Sequence, residues 1–145
     1  MNVQTVVVGV DGSACALRAL DAATALVEPG GSIHVVSAYD APSNTRVAQA
    51  YAVAPEEFKV NVDVLAEERD ILETATKSIE DHGVIAVGHL VDGDPASAIL
   101  DTAEEFDADL IVVGSRGLSR AAQMVRGSVS TKVAHHSPID FMVVH

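Results

Sequence analysis

The sequence predicts an α/β fold: a single domain with a five-stranded parallel sheet and helices on both faces. Three observations carry that expectation. Five short runs rich in Val, Ile and Leu recur along the chain, with apolar residues mostly consecutive rather than at alternate positions. Strands buried on both faces read this way. The stretches between them carry helical spacing and helix-start residues, and strands alternating with helices build a parallel sheet. The 145 residues are most simply one domain, with 48% apolar and 21% charged residues, which are globular proportions.

Residues 3–10 (VQTVVVGV) form the first strand pattern, and Asp11-Gly12-Ser13 is the turn after it. Ser13 is placed to cap a helix over 14–27, where Leu17, Leu20, Ala23 and Leu26 fall at helical spacing. Pro29-Gly30-Gly31 ends that helix, and 32–39 (SIHVVSAY) is the second strand. Residues 40–55 read as a long surface loop with a helical turn over 45–51. A helix follows over 60–82, with Val64, Ile71, Leu72, Ala75 and Ile79 as its apolar stripe and Gly83 as its stop. Residues 84–91 (VIAVGHLV) are the third strand. Asp94 as N-cap and Pro95 at the first helical position then open a helix to about residue 106. The fourth strand is 109–114. A glycine-bounded loop with a short helical piece over 118–124 leads to Gly127, Ser128 caps a helix over 128–135, and 140–145 is the fifth strand.

In open parallel sheets, ligands bind beyond the carboxyl ends of the strands, where strand order reverses. Asp11 ends the first strand and Gly114 the fourth, so topology brings two distant stretches together. The second of them is the more informative. In LIVVGSRGLSRAAQMVRGSV, from 110 to 129, a buried strand breaks at Gly114 and Gly117, and a helix opens at Gly127-Ser128. Glycines there can take positive φ and let a ligand approach the backbone. The N–H groups and dipole of a helix start favour a phosphate. Ser128 and Ser130 add hydroxyls, and Arg116, Arg120 and Arg126 are additional candidates for phosphate contact. Asp11 cannot favour a phosphate, but it can accept from a ribose hydroxyl or a base amino group. An acid at one end and a donor-rich loop at the other suit a nucleoside phosphate lying across the crevice.

Charge supports the same placement. The net charge is −12, yet residues 1–109 carry twenty of the 21 acids, while 110–145 carry Asp140 alone against four of the nine bases. The acidic balance argues against nucleic acid or an anionic membrane as partner. No apolar run approaches the ~20 residues of a membrane helix. No signal peptide is visible at the N-terminus, and the single cysteine, Cys15, permits no internal disulfide, so a cytoplasmic location is expected.

Competing motifs are missing. There is no G-x-x-x-x-G-K-[ST], no G-x-G-x-x-G after the first strand, and no G-x-S-x-G nucleophile elbow. His135-His136 lie side by side on a helix, with no third ligand at metal spacing, so no metal site is expected. His34 and His89 sit in strand patterns and are read as structural, and Cys15 as a small helix residue packing on the sheet. Asp92 stands at a plausible phosphoacceptor position, but Asp11 lacks the second acid a phospho-receiver needs. No carboxylate or histidine is clearly placed to activate water, so no catalytic residue is assigned and at most weak hydrolysis of a bound nucleotide is expected.

The chain resembles the universal stress protein family. Gly114-x-x-Gly117, nine residues, then Gly127-Ser128 is similar to the family's ATP-binding pattern. VVVGVDGS, with Asp11 and Ser13, resembles its first strand and turn. Gly93-Asp94-Pro95 resembles the turn before its third helix, and GSVSTKVAHHSP its last helix. The resemblance implies strand order 3-2-1-4-5 and a stress-response or signalling protein that binds ATP, with magnesium able to accompany it. A cyclic AMP-binding member, or a slow ATPase with at most weak ATP hydrolysis, is the alternative. It implies that Asp11 meets the ribose or adenine, that Ala38 meets adenine through its backbone, and that Gly114, Gly117, Gly127, Ser128, Val129 and Ser130 line the phosphates. It also implies a homodimer, often paired through the last strand, here residues 141–144. Ile139-Asp140-Phe141 stands where the family usually has Pro-Val-Leu.

Overall fold

The computed structural model describes residues 2–39, 53, 65–116 and 128–145. The expected turn over 45–51, the helix residues 60–64 and the helical piece over 118–124 lie outside them. Five strands, β1 (Thr5–Gly9), β2 (Ser32–Tyr39), β3 (Ile85–Asp92), β4 (Leu110–Gly114) and β5 (Asp140–Val144), form one parallel sheet in the order β3-β2-β1-β4-β5. Four described helices connect them: α1 (Ala14–Leu26), α2 (Ala66–Glu80), α3 (Pro95–Glu105) and α4 (Ser128–His136). The expected strand order and element order are both observed, with ends moved by one or two residues, except that α2 starts at Ala66 rather than near residue 60.

Handedness explains the layers. From β1 to β3 the chain steps outward in one direction, and from β3 through β4 to β5 it steps in the other. A right-handed crossover then puts the connecting helices on opposite faces. The core accordingly divides in two. Val6, Val8, Ile33 and Val35 pack with Ala19, Leu20 and Ala23 of α1 and with Ala75 and Ile79 of α2. Val7, Val36, Ile111 and Val113 pack with Ala96, Ile99 and Ala103 of α3 and with Val133 of α4. The alternation of Val6, Val7 and Val8 between two cores is the period-2 geometry of a strand covered on both faces.

The inward face of α1 differs from the expected stripe. Leu17 is 52% exposed and Leu26 40% exposed, whereas Ala16, Ala19, Leu20 and Ala23 are buried. Small side chains let this helix lie close to the sheet, so close packing sets the face here rather than side-chain size. The caps follow the expectation. The hydroxyl oxygen of Ser13 accepts from the Ala16 N–H at 3.2 Å. The Asp94 carboxylate accepts from the Ser97 N–H at 3.0 Å, with Pro95 at the first helical position. Gly83, at φ +76, takes the left-handed conformation just past α2.

At the opposite end of the sheet from the candidate site, one carboxylate ties two strands. Asp109 Oδ2 accepts from the backbone N–H groups of Gln4 at 2.8 Å and Thr5 at 2.9 Å. The strand that opens the chain is thus fixed to the strand that carries the glycine loop.

Candidate functional site

The direction of strand order reverses between β1 and β4, which pair in the register Val6↔Leu110, Val7↔Ile111, Val8↔Val112. Whatever follows their carboxyl ends must therefore lie side by side. Asp11-Gly12-Ser13 follows β1. Gly12 has φ +81, a backbone conformation that favours glycine. That turn lets Asp11 Oδ1 accept from the Ser13 N–H at 2.9 Å. Asp11 is half-buried, and this bond fixes one of its oxygens toward the start of α1.

The exit of β4 meets the same turn. The Ser13 hydroxyl donates to the carbonyl oxygen of Arg116 at 3.4 Å, across 103 positions of sequence. Cys15 Sγ lies 3.8 Å from Ser115 Oγ. The Ser115 N–H donates to the carbonyl of Val144 at 2.8 Å, so β5 is held to the same exit. Ser13 belongs with the site although the residue-by-residue assignment does not include it. Its place in the DGS turn was the available signal.

Gly114 does not take the positive φ expected of it. It is not among the described positive-φ glycines, which are Gly12, Gly30, Gly83 and Gly93. A Cβ at this position would stand 2.8 Å from the Cys15 carbonyl carbon, 2.9 Å from the Cys15 Cβ and 3.0 Å from the Ala16 nitrogen. The missing side chain lets β4 close onto the first turn of α1. Gly114 thus shapes the site by bringing the two stretches together.

The third part is the start of α4. Ser128 is exposed, Val129 half-buried and Ser130 buried. Val129 and Ala38 both border the buried cluster between the sheet and helices α3 and α4, which places the ends of β2 and the start of α4 on one side of the sheet. Ala38 pairs with Val91 and is half-buried. The Arg116 side chain is exposed. Gly117, Arg120, Arg126 and Gly127 lie outside the described residues.

Electrostatics near α4 are partly committed. Lys132 Nζ bonds to Asp94 Oδ1 at 2.9 Å. That hydrogen bond, then the Ser97 N–H, holds the Asp94 carboxyl below its ordinary range. This lysine is therefore engaged in joining α4 to the start of α3. His135 and His136 are both exposed in the last turn of α4, where positive charge is favoured. Among the described residues no group of three or more His, Cys, Asp or Glu could hold a metal ion, and no helix is long and apolar enough to cross a membrane.

The arrangement offers hydroxyls, a helix start and a half-buried carboxylate where two strands diverge. Such a donor set fits a ligand with an anionic end and a hydroxyl-bearing end. The sequence model of the Universal stress protein family matches residues 2–145. The chain belongs to the universal stress protein family.

Among its family relatives, universal stress protein Rv1636 of Mycobacterium tuberculosis (strain ATCC 25618 / H37Rv) is 31% identical over 148 residues, covering 98% of this chain and 96% of that protein. Universal stress protein YxiE of Bacillus subtilis (strain 168) is 36% identical over 143 residues, covering 94% and 95%. A solved universal stress protein in complex with cAMP is 31% identical, with a TM-score of 0.71 and coverage of 100% and 99%.

Proposed function

We propose that this universal stress protein binds an adenine nucleotide between the 11–13 turn and the stretch that runs from Gly114 to the start of α4, and that the nucleotide is ATP. The observation that carries the reading is the Ser13 hydroxyl on the Arg116 carbonyl. It joins the turn after β1 to the exit of β4, from which the glycine spacing Gly114, Gly117, Gly127-Ser128 departs. Asp11 takes the ribose or the adenine, and the backbone of Ala38 the adenine edge. Gly117, Gly127, Ser128, Val129 and Ser130 line the phosphates, with Gly114 closing the floor. Arg116, Arg120 and Arg126 add charge from the loop, and magnesium arrives with the phosphates of ATP. The nucleotide state acts as a signal in a cytoplasmic stress response, and the protein is a homodimer paired along residues 141–144.

A second reading has its own support. The solved relative in complex with cAMP is 31% identical over essentially the whole chain. A single phosphate at the start of α4 would use the same donors. Equilibrium dialysis with labelled ATP and labelled cAMP separates the two. Under the ATP reading ATP binds, cAMP competes weakly, and Ser128→Ala with Ser130→Ala weakens ATP about tenfold or more, the size of one or two lost hydrogen bonds to a charged group. Binding of neither nucleotide by the folded wild type would sink the proposal, and preference for cAMP would replace ATP by the second reading.

A further inference from the structure

β3 is an outer strand of the sheet, at the end opposite β5. One of its edges pairs with β2 along all eight residues, from Ser32↔Ile85 to Tyr39↔Asp92. Among the described residues no strand lies beyond the other edge. Natural edge strands are usually blunted by shortness, proline, lysine or a bulge. IAVGHLVD is eight residues long, runs in unbroken register and contains neither lysine nor proline.

Both faces of this edge present apolar strand residues. On one face Ile85 and Val87 are 59% and 37% exposed. On the other, Ala86, Gly88 and Leu90 line a groove of about 450 Å³ against α2. A Cβ on Gly88 would stand 3.0 Å from Leu72 Cγ and 3.3 Å from Thr76 Cγ2, so the middle of α2 sits tight against the middle of β3.

We propose that this edge is a homotypic interface, in which a second copy of the chain adds its β3 antiparallel across a two-fold axis at Gly88. The charges of α2 select the occupant. Arg69 lines one end of the groove and Glu80 the other, with Glu73 and Thr76 between them. Both pairs are centred on the part of the helix that packs on Gly88. A two-fold axis there sets Arg69 toward the partner's Glu80 and, by symmetry, Glu80 toward the partner's Arg69. Glu73 meets the partner's Thr76, and among the groove-lining residues no like charges face each other. An isologous contact requires a self-complementary patch of this kind. The strand follows the same symmetry. Ala86 falls opposite the partner's Leu90, small against large, and Gly88 faces itself on the axis. Val87 falls opposite the partner's His89.

This contact lies across the sheet from residues 141–144. If both edges pair, the assembly grows beyond a dimer. Sedimentation equilibrium of the full chain, over a wide concentration range, reads both. Wild type is expected to exceed dimer mass at high concentration. Phe141→Lys, which puts a charge on the β5 edge, should leave a concentration-dependent dimer, and adding Val87→Lys should leave a monomer. In the Phe141→Lys background, Arg69→Glu alone or Glu80→Arg alone should raise the dissociation constant about tenfold, because each reversal creates two like-charge contacts. The double variant should return it close to its starting value. A Phe141→Lys protein that stays monomeric at every concentration overturns the proposal. So does a double reversal that fails to restore association while far-UV circular dichroism matches wild type, the result an unrelated peptide strand as natural occupant would give. If Phe141→Lys leaves the wild-type mass unchanged and Val87→Lys abolishes association, the β5 pairing fails and the β3 interface stands.

Discussion

Single side chains decide how closely the two halves of the site approach. At Gly114 an added methyl group would meet backbone atoms of Cys15 and Ala16 at 2.8 and 3.0 Å, and backbone cannot swing aside as the end of a long side chain can. Gly114→Ala is therefore expected to destabilise the fold by about 1–3 kcal/mol, the usual cost of overpacking. Urea unfolding measures it, and an unchanged midpoint would refute the packing account. Nothing in LIVVG announces this, because the atoms it must clear come from a residue about a hundred positions earlier. The histidines are a second case. His34 Nδ1 and His89 Nε2 lie 2.8 Å apart; the His34 ring stacks with Phe106, and the His89 ring is tilted against it. A hydrogen bond between two ring nitrogens needs one donor and one acceptor, so the pair holds at most one positive charge. Burial, then the neighbouring His89 charge, lowers the His34 pKa, with Glu105 pulling the other way. Burial lowers that of His89 as well, again against Glu105. The native state thus binds fewer protons than the unfolded chain just below the ordinary value of 6.5. Stability then rises with pH, is complete above that value, and falls as pH drops below it. Melting temperature is expected to decline more steeply from pH 7.5 to 5 in wild type than in His34→Gln with His89→Gln; equal slopes would exclude the pair as the cause.

Elements were legible wherever a local chemical signal marks an end. The capping serine before α1, Asp94-Pro95 before α3 and Gly83 after α2 all act as their chemistry dictates, because an N-cap or a left-handed stop needs only a few consecutive residues. Faces were less legible. Leu17 and Leu26 fit helical spacing, yet Ala16, Ala19 and Ala23 face the sheet. Spacing fixes the period of a helix but not its phase when alanines are spread around it. The contact between α3 and α4 could not be read at all, since Lys132 and Asp94 are 38 positions apart. That contact makes a measurable claim. Asp94→Ala should cost about 1–2 kcal/mol, mostly from the lost cap and to a lesser degree from the half-exposed ion pair. A double-mutant cycle with Lys132→Ala should return a coupling of roughly 0.2–1 kcal/mol. Because the Asp94 carboxyl titrates below its ordinary range, its contribution is present above that range and is lost as pH falls through the lowered value. A coupling of zero at neutral pH would mean that the helices are joined by packing alone.

At the scale of the molecule, a parallel sheet with one reversal of direction does what no local pattern could. It lays the turn after β1 against the exit of β4, the strand that opens the base-rich residues 110–145 of an otherwise acidic chain. The order of elements was readable from alternating strand and helix signals, and the neighbourhood of β1 and β4 followed from it. The loop after β4 was readable only as glycine spacing. A ligand bound there would touch elements from both halves of the chain: the start of α1, the exit of β4 and the start of α4. It should therefore stabilise the whole cooperative unit rather than one end of it. At a free nucleotide concentration a hundred times the dissociation constant, mass action adds about 2.7 kcal/mol. For a domain of this size that corresponds to a rise in melting temperature of about 5–10 °C. The rise should grow with the logarithm of nucleotide concentration and leave a single transition. Calorimetric scans with ATP and with cAMP test this directly. A nucleotide that binds in dialysis but shifts only part of a split transition would place its contacts within one half of the chain, and the joint site between β1 and β4 would be wrong.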